Sequence, residues 1–266
     1  MEVWKSQEYF VYFKIFKPIS WDERPAERRS RFIQRFHNTT GRTTDLISIA
    51  IDGPAGAGKS TMAKAAARAL GYVYVDTGAI YRAVGYAALE RGISPEDKAG
   101  VETLLPALAL ELRWENDVQH VLLSGVDVSA EIRTPAVSDA ASKVAALPCV
   151  RAFLMETQRR VAREHNVIMD GRDIGTVVLP DADVKIFLTA SAEVRARRRF
   201  LELQQRGAPD TYEQVLADMK ERDYRDSHRE IAPLRPAQDA IVIDSSDQTL
   251  EENVQAILST IRGKLQ

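Results

Sequence analysis

One segment constrains this chain more than any other. A short apolar run at 46–51 (LISIAI) turns through Gly53-Pro54-Ala55-Gly56-Ala57-Gly58-Lys59-Ser60 into a helical stretch that starts at Thr61 and ends near Leu70. The turn matches GxxxxGK[ST] at every fixed position, with a strand before it and a helix after it. Glycines let backbone N–H groups curl around an anion, and the helix N-terminus adds positive potential. Lys59 brings a mobile charge for the β- and γ-phosphates of a nucleotide, and Ser60 a hydroxyl ligand for Mg²⁺. A chance glycine-rich turn would not carry the lysine, the serine and both flanks together. The segment names a phosphate donor and leaves the acceptor open.

The same alternation continues. YVYV (72–75) runs into Asp76-Thr77-Gly78 and a helix predicted over 79–91, and VIMD (167–170), VKIFL (184–188) and IVID (241–244) follow with helical patterns between them. Short all-apolar strands separated by helices predict an α/β fold of three layers around a central parallel sheet. Its ligand site belongs beyond the C-terminal strand ends. Residues 108–128 break the pattern. They alternate apolar and polar around Glu115-Asn116-Asp117, which reads as an antiparallel hairpin insert.

Composition narrows the partners. With 266 residues, 45% hydrophobic, 28% charged and a net charge of −2, the chain has no footprint for nucleic acid or an acidic membrane. Its one cysteine, Cys149, leaves no internal disulfide, and none of the four histidines has metal or triad-like spacing. No apolar stretch is long enough for a membrane span, and the N-terminus lacks a signal-peptide pattern. A cytoplasmic monomer is expected. Residues 1–45, arginine-rich with a polar tract before Leu46 and a short amphipathic helix considered around 25–35, read as a poorly ordered extension of a domain at 46–266.

Arginines gather at the expected ligand edge. Arg82 lies one helical turn past the second strand, where a guanidinium could hold a second phosphate bidentately or remain a surface charge while Thr77 caps the helix. Asp170-Gly171-Arg172-Asp173 ends the third strand and could serve Mg²⁺, the acceptor, or a solvated turn. Arg222, Asp226 and Arg229, at i, i+4 and i+7, share one helical face. Alone that is an ordinary ion-pair ladder, but beside two other arginine-bearing strand ends a polyphosphate pocket accounts for it better. Arg195, Arg197, Arg198 and Arg199, followed by the loop 205–209, suit a cationic lid over a nucleotide at 191–230, or a solvated basic helix.

Together GPAGAGKST, YVDTGAIYRAV, EIRTPAVSDAASKVAALPCVR, IMDGRDIGTVVLPDADVKIFLTAS and ERDYRDSHREIAPLRPAQDAIVIDSS resemble the bacterial-type cytidylate kinases among the P-loop nucleoside monophosphate kinases, over about 46–263. The resemblance implies the P-loop fold with a nucleoside-monophosphate-binding region at 76–150 that carries the insert, and transfer of the γ-phosphoryl group of ATP to CMP or dCMP in pyrimidine nucleotide metabolism. ATP and Mg²⁺ would lie at 53–61, with Ser60 on the metal. Thr77, Arg82, Ser142, Arg151, Arg172, Asp173, Arg222, Asp226 and Arg229 fall where the family binds CMP. Arg82, Arg172 and Arg229 would hold the acceptor phosphate. Ser142, Arg151 and Asp173 would read the cytosine edge, and Arg222 and Asp226 would hold the sugar. Lys59, Arg172 and Arg229 would carry catalysis. Thr77 stands where serine is frequent and keeps the hydroxyl.

Rival readings are a kinase for UMP, AMP or shikimate, a GTP-binding switch, and a binding module without catalysis. The chain has no NKxD guanine-reading motif, and its intact Lys59, Ser60 and GRD segment speaks against the last.

Overall fold

In the computed structural model, which describes residues 46–266, β1 (Ser48–Asp52), β2 (Val73–Asp76), β6 (Val167–Gly171), β7 (Val184–Thr189) and β8 (Ile241–Asp244) form one five-stranded sheet. Its order is β2-β6-β1-β7-β8 and every neighbouring pair is parallel. The N-terminal segment 1–45, with the helix considered around 25–35, lies outside the described residues. Strands buried on both faces need apolar side chains in both directions, and β1 supplies them. Ile49 and Ile51 pack with Met62, Ala66, Ile257 and Ile261 of helices α1 (Lys59–Leu70) and α8 (Leu250–Lys264). Ala50, between them, packs with Val75, Met169, Ile174 and Val161 on the other face.

Helix α2 (Thr77–Glu90) begins two residues before the predicted start. The Asp76 carboxylate accepts from the Ala79 N–H and caps it, so Thr77 is already inside the first turn. After α3 (Lys98–Leu104) comes the antiparallel piece: β3 (Leu110–Glu115), β4 (Val118–Leu123) and β5 (Val126–Asp127). Asn116 and Asp117 close the hairpin at φ 51° and 63°, the paired left-handed residues that match strand twist in a two-residue turn. The insert is fastened to the exposed edge of the main sheet. The Gln119 amide accepts from the Asp76 N–H at 2.8 Å and donates to the Asp76 carbonyl at 3.2 Å, while the Trp114 indole donates to the Tyr74 carbonyl at 2.9 Å. These side chains occupy backbone groups that an edge strand would otherwise leave open.

Helices α4 (Pro135–Val144) and α5 (Pro148–Glu164) lead back to β6, which runs into a single π-helical turn at Ile174–Val178. Helices α6 (Ala192–Gln205) and α7 (Tyr212–His228) pack against each other through Ala196, Leu203, Val215 and Met219. Arg229 is the C-terminal cap of α7, with ψ 142°, so the chain leaves the helix just after it.

Candidate active site

Strand register brings three aspartates to one edge. Asp76 pairs with Asp170, and Asp52 pairs with Gly171 one step further along. Gly53 follows Asp52 directly. Its φ is 148°, and a Cβ there would sit 1.9 Å from the Leu188 carbonyl oxygen, so only glycine lets the loop turn this close to β7. The loop then delivers Lys59, which is buried, with Nζ donating to the Pro54 carbonyl at 2.7 Å. Burial first, and then Arg172, push the Lys59 ammonium down to about 7 against the opposing pull of Asp170 and Asp52. An entering polyphosphate would reverse that balance.

Next to it, Ser60 Oγ donates to Asp170 Oδ2 at 2.9 Å, and the Tyr74 hydroxyl donates to Asp170 Oδ1 at 2.9 Å. Burial and the neighbouring Asp76 raise the Asp170 carboxyl to about 6, with Lys59 opposing. A carboxylate and a hydroxyl side by side are hard oxygen donors of the kind magnesium takes. Among the described residues no cluster of three or more His, Cys, Asp or Glu is poised to hold a metal. The Ser60 hydroxyl and the Asp170 carboxylate are the residues that fit Mg²⁺.

Thr77 is buried and its hydroxyl donates to the Asp170 carbonyl at 2.7 Å, so toward a ligand it has only acceptor capacity left. The Arg82 guanidinium pairs with Asp76 at 2.9 Å while its Nε is buried without a partner. Burial works against the Asp76 carboxylate, yet Arg82 holds it below the usual range. Arg172 donates to Asp226 Oδ2 at 3.0 Å and to the Gly171 carbonyl at 3.2 Å. Ser142 Oγ reaches Asp226 Oδ1 at 3.4 Å. Arg222 is the least satisfied cation: its Nε is buried and unpartnered, and burial, then Arg172 and Arg82, lower it to about 10.

A second ionic group lies behind these. Asp173 is clasped between Arg151 and Arg229, with the Arg229 nitrogen 3.3 Å from Oδ1 and the Arg151 guanidinium on Oδ2. Arg151 also lies over the Tyr81 ring, 5.9 Å from its centroid. Arg229 Nε donates to the Ala232 carbonyl at 2.6 Å, which fixes its course beyond α7. The structure thus gathers Lys59, Ser60, Thr77, Arg82, Ser142, Arg151, Arg172, Asp173, Arg222, Asp226 and Arg229 at the C-terminal strand edge in two linked groups.

In the arginine run on α6, Arg195 and Arg198 are engaged with other elements while Arg197 is exposed. Arg195 is buried, pairs with Asp223 through two nitrogens at 3.1 and 2.6 Å, and donates to the Ala55 carbonyl of the loop at 3.1 Å. Arg198 donates to the Ser245 carbonyl at 2.6 Å and Arg199 pairs with Glu202. Arg195 therefore ties α6 and α7 to the phosphate loop.

Sequence reasoning passed over Asp52, Asp76 and Tyr74, and left Asp170 open between Mg²⁺, the acceptor and a solvated turn. A signal existed: the apolar strands LISIAID, YVYVD, VIMD and IVID all end in aspartate. In a parallel sheet those residues emerge at the ligand edge.

A family model described as cytidylate kinase matches residues 49–263. A cytidylate kinase of Caldicellulosiruptor bescii is 52% identical over 212 residues, which cover 80% of this chain and 94% of that protein. One from Lactobacillus johnsonii is 47% identical over 219 residues, 82% of this chain and 95% of that one. One from Carboxydothermus hydrogenoformans is 50% identical over 218 residues, 82% of this chain and 98% of that one.

Proposed function

The chain belongs to the cytidylate kinase family, and from that premise we propose how its residues divide the work between a donor cradle and an acceptor pocket. Its activity is that of a cytidylate kinase, a phosphotransferase that uses ATP. The loop 53–61 holds the ATP phosphates, and Lys59 follows the β- and γ-phosphates with its charge. Ser60 and Asp170 would hold a magnesium ion, which when bound would neutralise part of the charge on the transferred group.

Arg82, Arg172 and Arg229 bind the phosphate of CMP. Arg222 and Asp226 take the sugar, and Ser142, Arg151 and Asp173 read the cytosine edge. Lys59, Arg172 and Arg229 carry the chemical step by stabilising charge as it moves from donor to acceptor. A CMP phosphate oxygen is itself the nucleophile, so no covalent enzyme intermediate forms. The same pocket accepts dCMP, with weaker use of UMP. The insert at 108–128 belongs to the acceptor region at 76–150, and residues 191–230 form the lid. Action as a monomer in the cytoplasm, on free nucleotides in pyrimidine metabolism, completes the reading.

The observation that carries this reading is the unsatisfied guanidinium groups at the strand edge. Lys59, Arg82, Arg172 and Arg222 converge there, and two buried guanidinium nitrogens, Arg82 Nε and Arg222 Nε, have no partner. Such unpaired buried donors are costly unless an anion completes them. Coupled ADP release with CMP, dCMP, UMP, AMP and shikimate as acceptors tests it. CMP and dCMP turn over fastest if the pocket is as described. Faster turnover of AMP or shikimate would overturn the assignment.

A further inference from the structure

The Asp52 carboxylate, which the roles above leave unused, sits where donor and acceptor meet. Oδ1 accepts from the Ile174 N–H at 2.8 Å and Oδ2 from the Gly175 N–H at 2.7 Å. Ile174 and Gly175 open the π-helical turn, so these N–H groups belong to the set that a helical start leaves without intrahelical partners. Asp52 also pairs through its backbone register with Gly171, at the end of β6. Arg172 and Asp173 are therefore a two-residue bridge with both ends fixed on Asp52, one by the sheet ladder and the other by the side chain. The bridge is tight. A Cβ on Gly171 would meet the Ile174 side chain at 2.6 Å and Thr77 Oγ1 at 2.8 Å, leaving the turn little freedom to take another course.

We propose that Asp52 is a positioning residue that holds the Arg172-Asp173 bridge in the conformation that binds CMP, and so sets the acceptor pocket from the strand that leads into the ATP loop. This rests on the assignment of Arg172 and Asp173 to CMP made above. The effect falls on the acceptor side for a structural reason. Asp52 is held between β6 and β7 through its pairing with Gly171 and Phe187, which fixes the entry to the ATP loop independently of the carboxylate. The first N–H groups of the 174–178 turn have the carboxylate alone. Asparagine has nearly the same shape but offers one acceptor and one donor, so it meets two N–H groups with only one good bond.

Asp52→Asn is therefore compared with the wild type, with wild-type turnover of CMP as the control on the underlying assignment. The KM for CMP should rise about tenfold or more, the scale of one lost charge-assisted hydrogen bond and one opposed donor pair. The affinity for ATP, read by displacement of a fluorescent ATP analogue, should stay within about twofold. If the wild type phosphorylates CMP and the variant shows an unchanged CMP KM, or equal losses for both nucleotides, the positioning role is wrong. If the wild type does not phosphorylate CMP, the assignment itself has failed. Should the variant not fold, amide exchange in the wild type decides. The Ile174 and Gly175 amides should exchange as slowly as those of β6, and exchange at unstructured rates would overturn the proposal.

Discussion

Ser60 and Asp170, 110 residues apart in the chain, meet through a 2.9 Å hydrogen bond from hydroxyl to carboxylate. The contact joins the first turn of the helix behind the phosphate loop to the end of the neighbouring strand. It places a hydroxyl and a carboxylate from separate elements, a helix and a sheet strand, side by side.

Asp170→Asn should leave the fold intact and reduce kcat by about 10²- to 10³-fold, the range seen when one preorganised electrostatic group is removed from a phosphate or oxyanion site. The requirement for magnesium should shift to higher concentration at the same time. Steady-state kinetics across a magnesium titration is the check. A variant with wild-type kcat and an unaltered magnesium dependence would remove Asp170 from the metal site.

Lys59→Met separates catalysis from stability. The ammonium is buried beside Arg172, and both burial and that neighbour disfavour its charge. Its folded pKa, about 7 against 10.5, is depressed. Its stability term is therefore full above 10.5 and is lost as pH falls through 7. The variant should lose kcat by about 10³-fold or more while its melting temperature at pH 7 holds or rises. A clear drop in melting temperature without nucleotide would show that Lys59 supports the fold itself.

Asp173 presents the opposite case. Removing it leaves Arg151 and Arg229 buried without their shared carboxylate. Asp173→Ala should therefore raise the KM for CMP far more than the KM for ATP and also lower stability by about 3–5 kcal/mol, the usual consequence of orphaning a buried ion pair. Added CMP should recover little of that stability, because the base-reading pair is broken. Equal losses on ATP and CMP would point to a metal role instead.

Much of this site is legible in the sequence. The phosphate loop is local: eight consecutive residues with their flanks state its conformation. The place of Arg172 and Asp173 at the C-terminal strand edge was readable because an apolar strand ends just before them. The contact of Asp52 with Ile174 and Gly175 was not, because it spans more than a hundred residues and depends on β1 lying beside β6. The π-helical turn has no sequence period that marks it. Arg195 misled for a related reason. Beside three other arginines it reads as part of a cationic lid or a solvated basic helix, and the sequence does not show that Asp223 on the facing helix binds it in place. Side-chain type was legible, and pairing across distant elements was not.

The pH dependence of stability offers a test of Asp52 without any substrate. Burial, and to a lesser degree Asp173, raise its carboxyl from 3.8 to about 6, against the pull of the Ile174 and Gly175 N–H groups and Lys59. The folded protein therefore holds this proton more tightly than the unfolded chain. The stabilising contribution is complete below 3.8 and is lost as pH rises through 6. Asparagine cannot titrate, so the stability of the wild type relative to Asp52→Asn should decline between pH 4 and pH 7.5 by on the order of 2–3 kcal/mol. Urea unfolding of both proteins, free of nucleotide and magnesium, measures it. A difference that stays flat across that range would mean that Asp52 titrates as an ordinary carboxylate. The wild type would then bury this charge near neutrality at no cost to the fold.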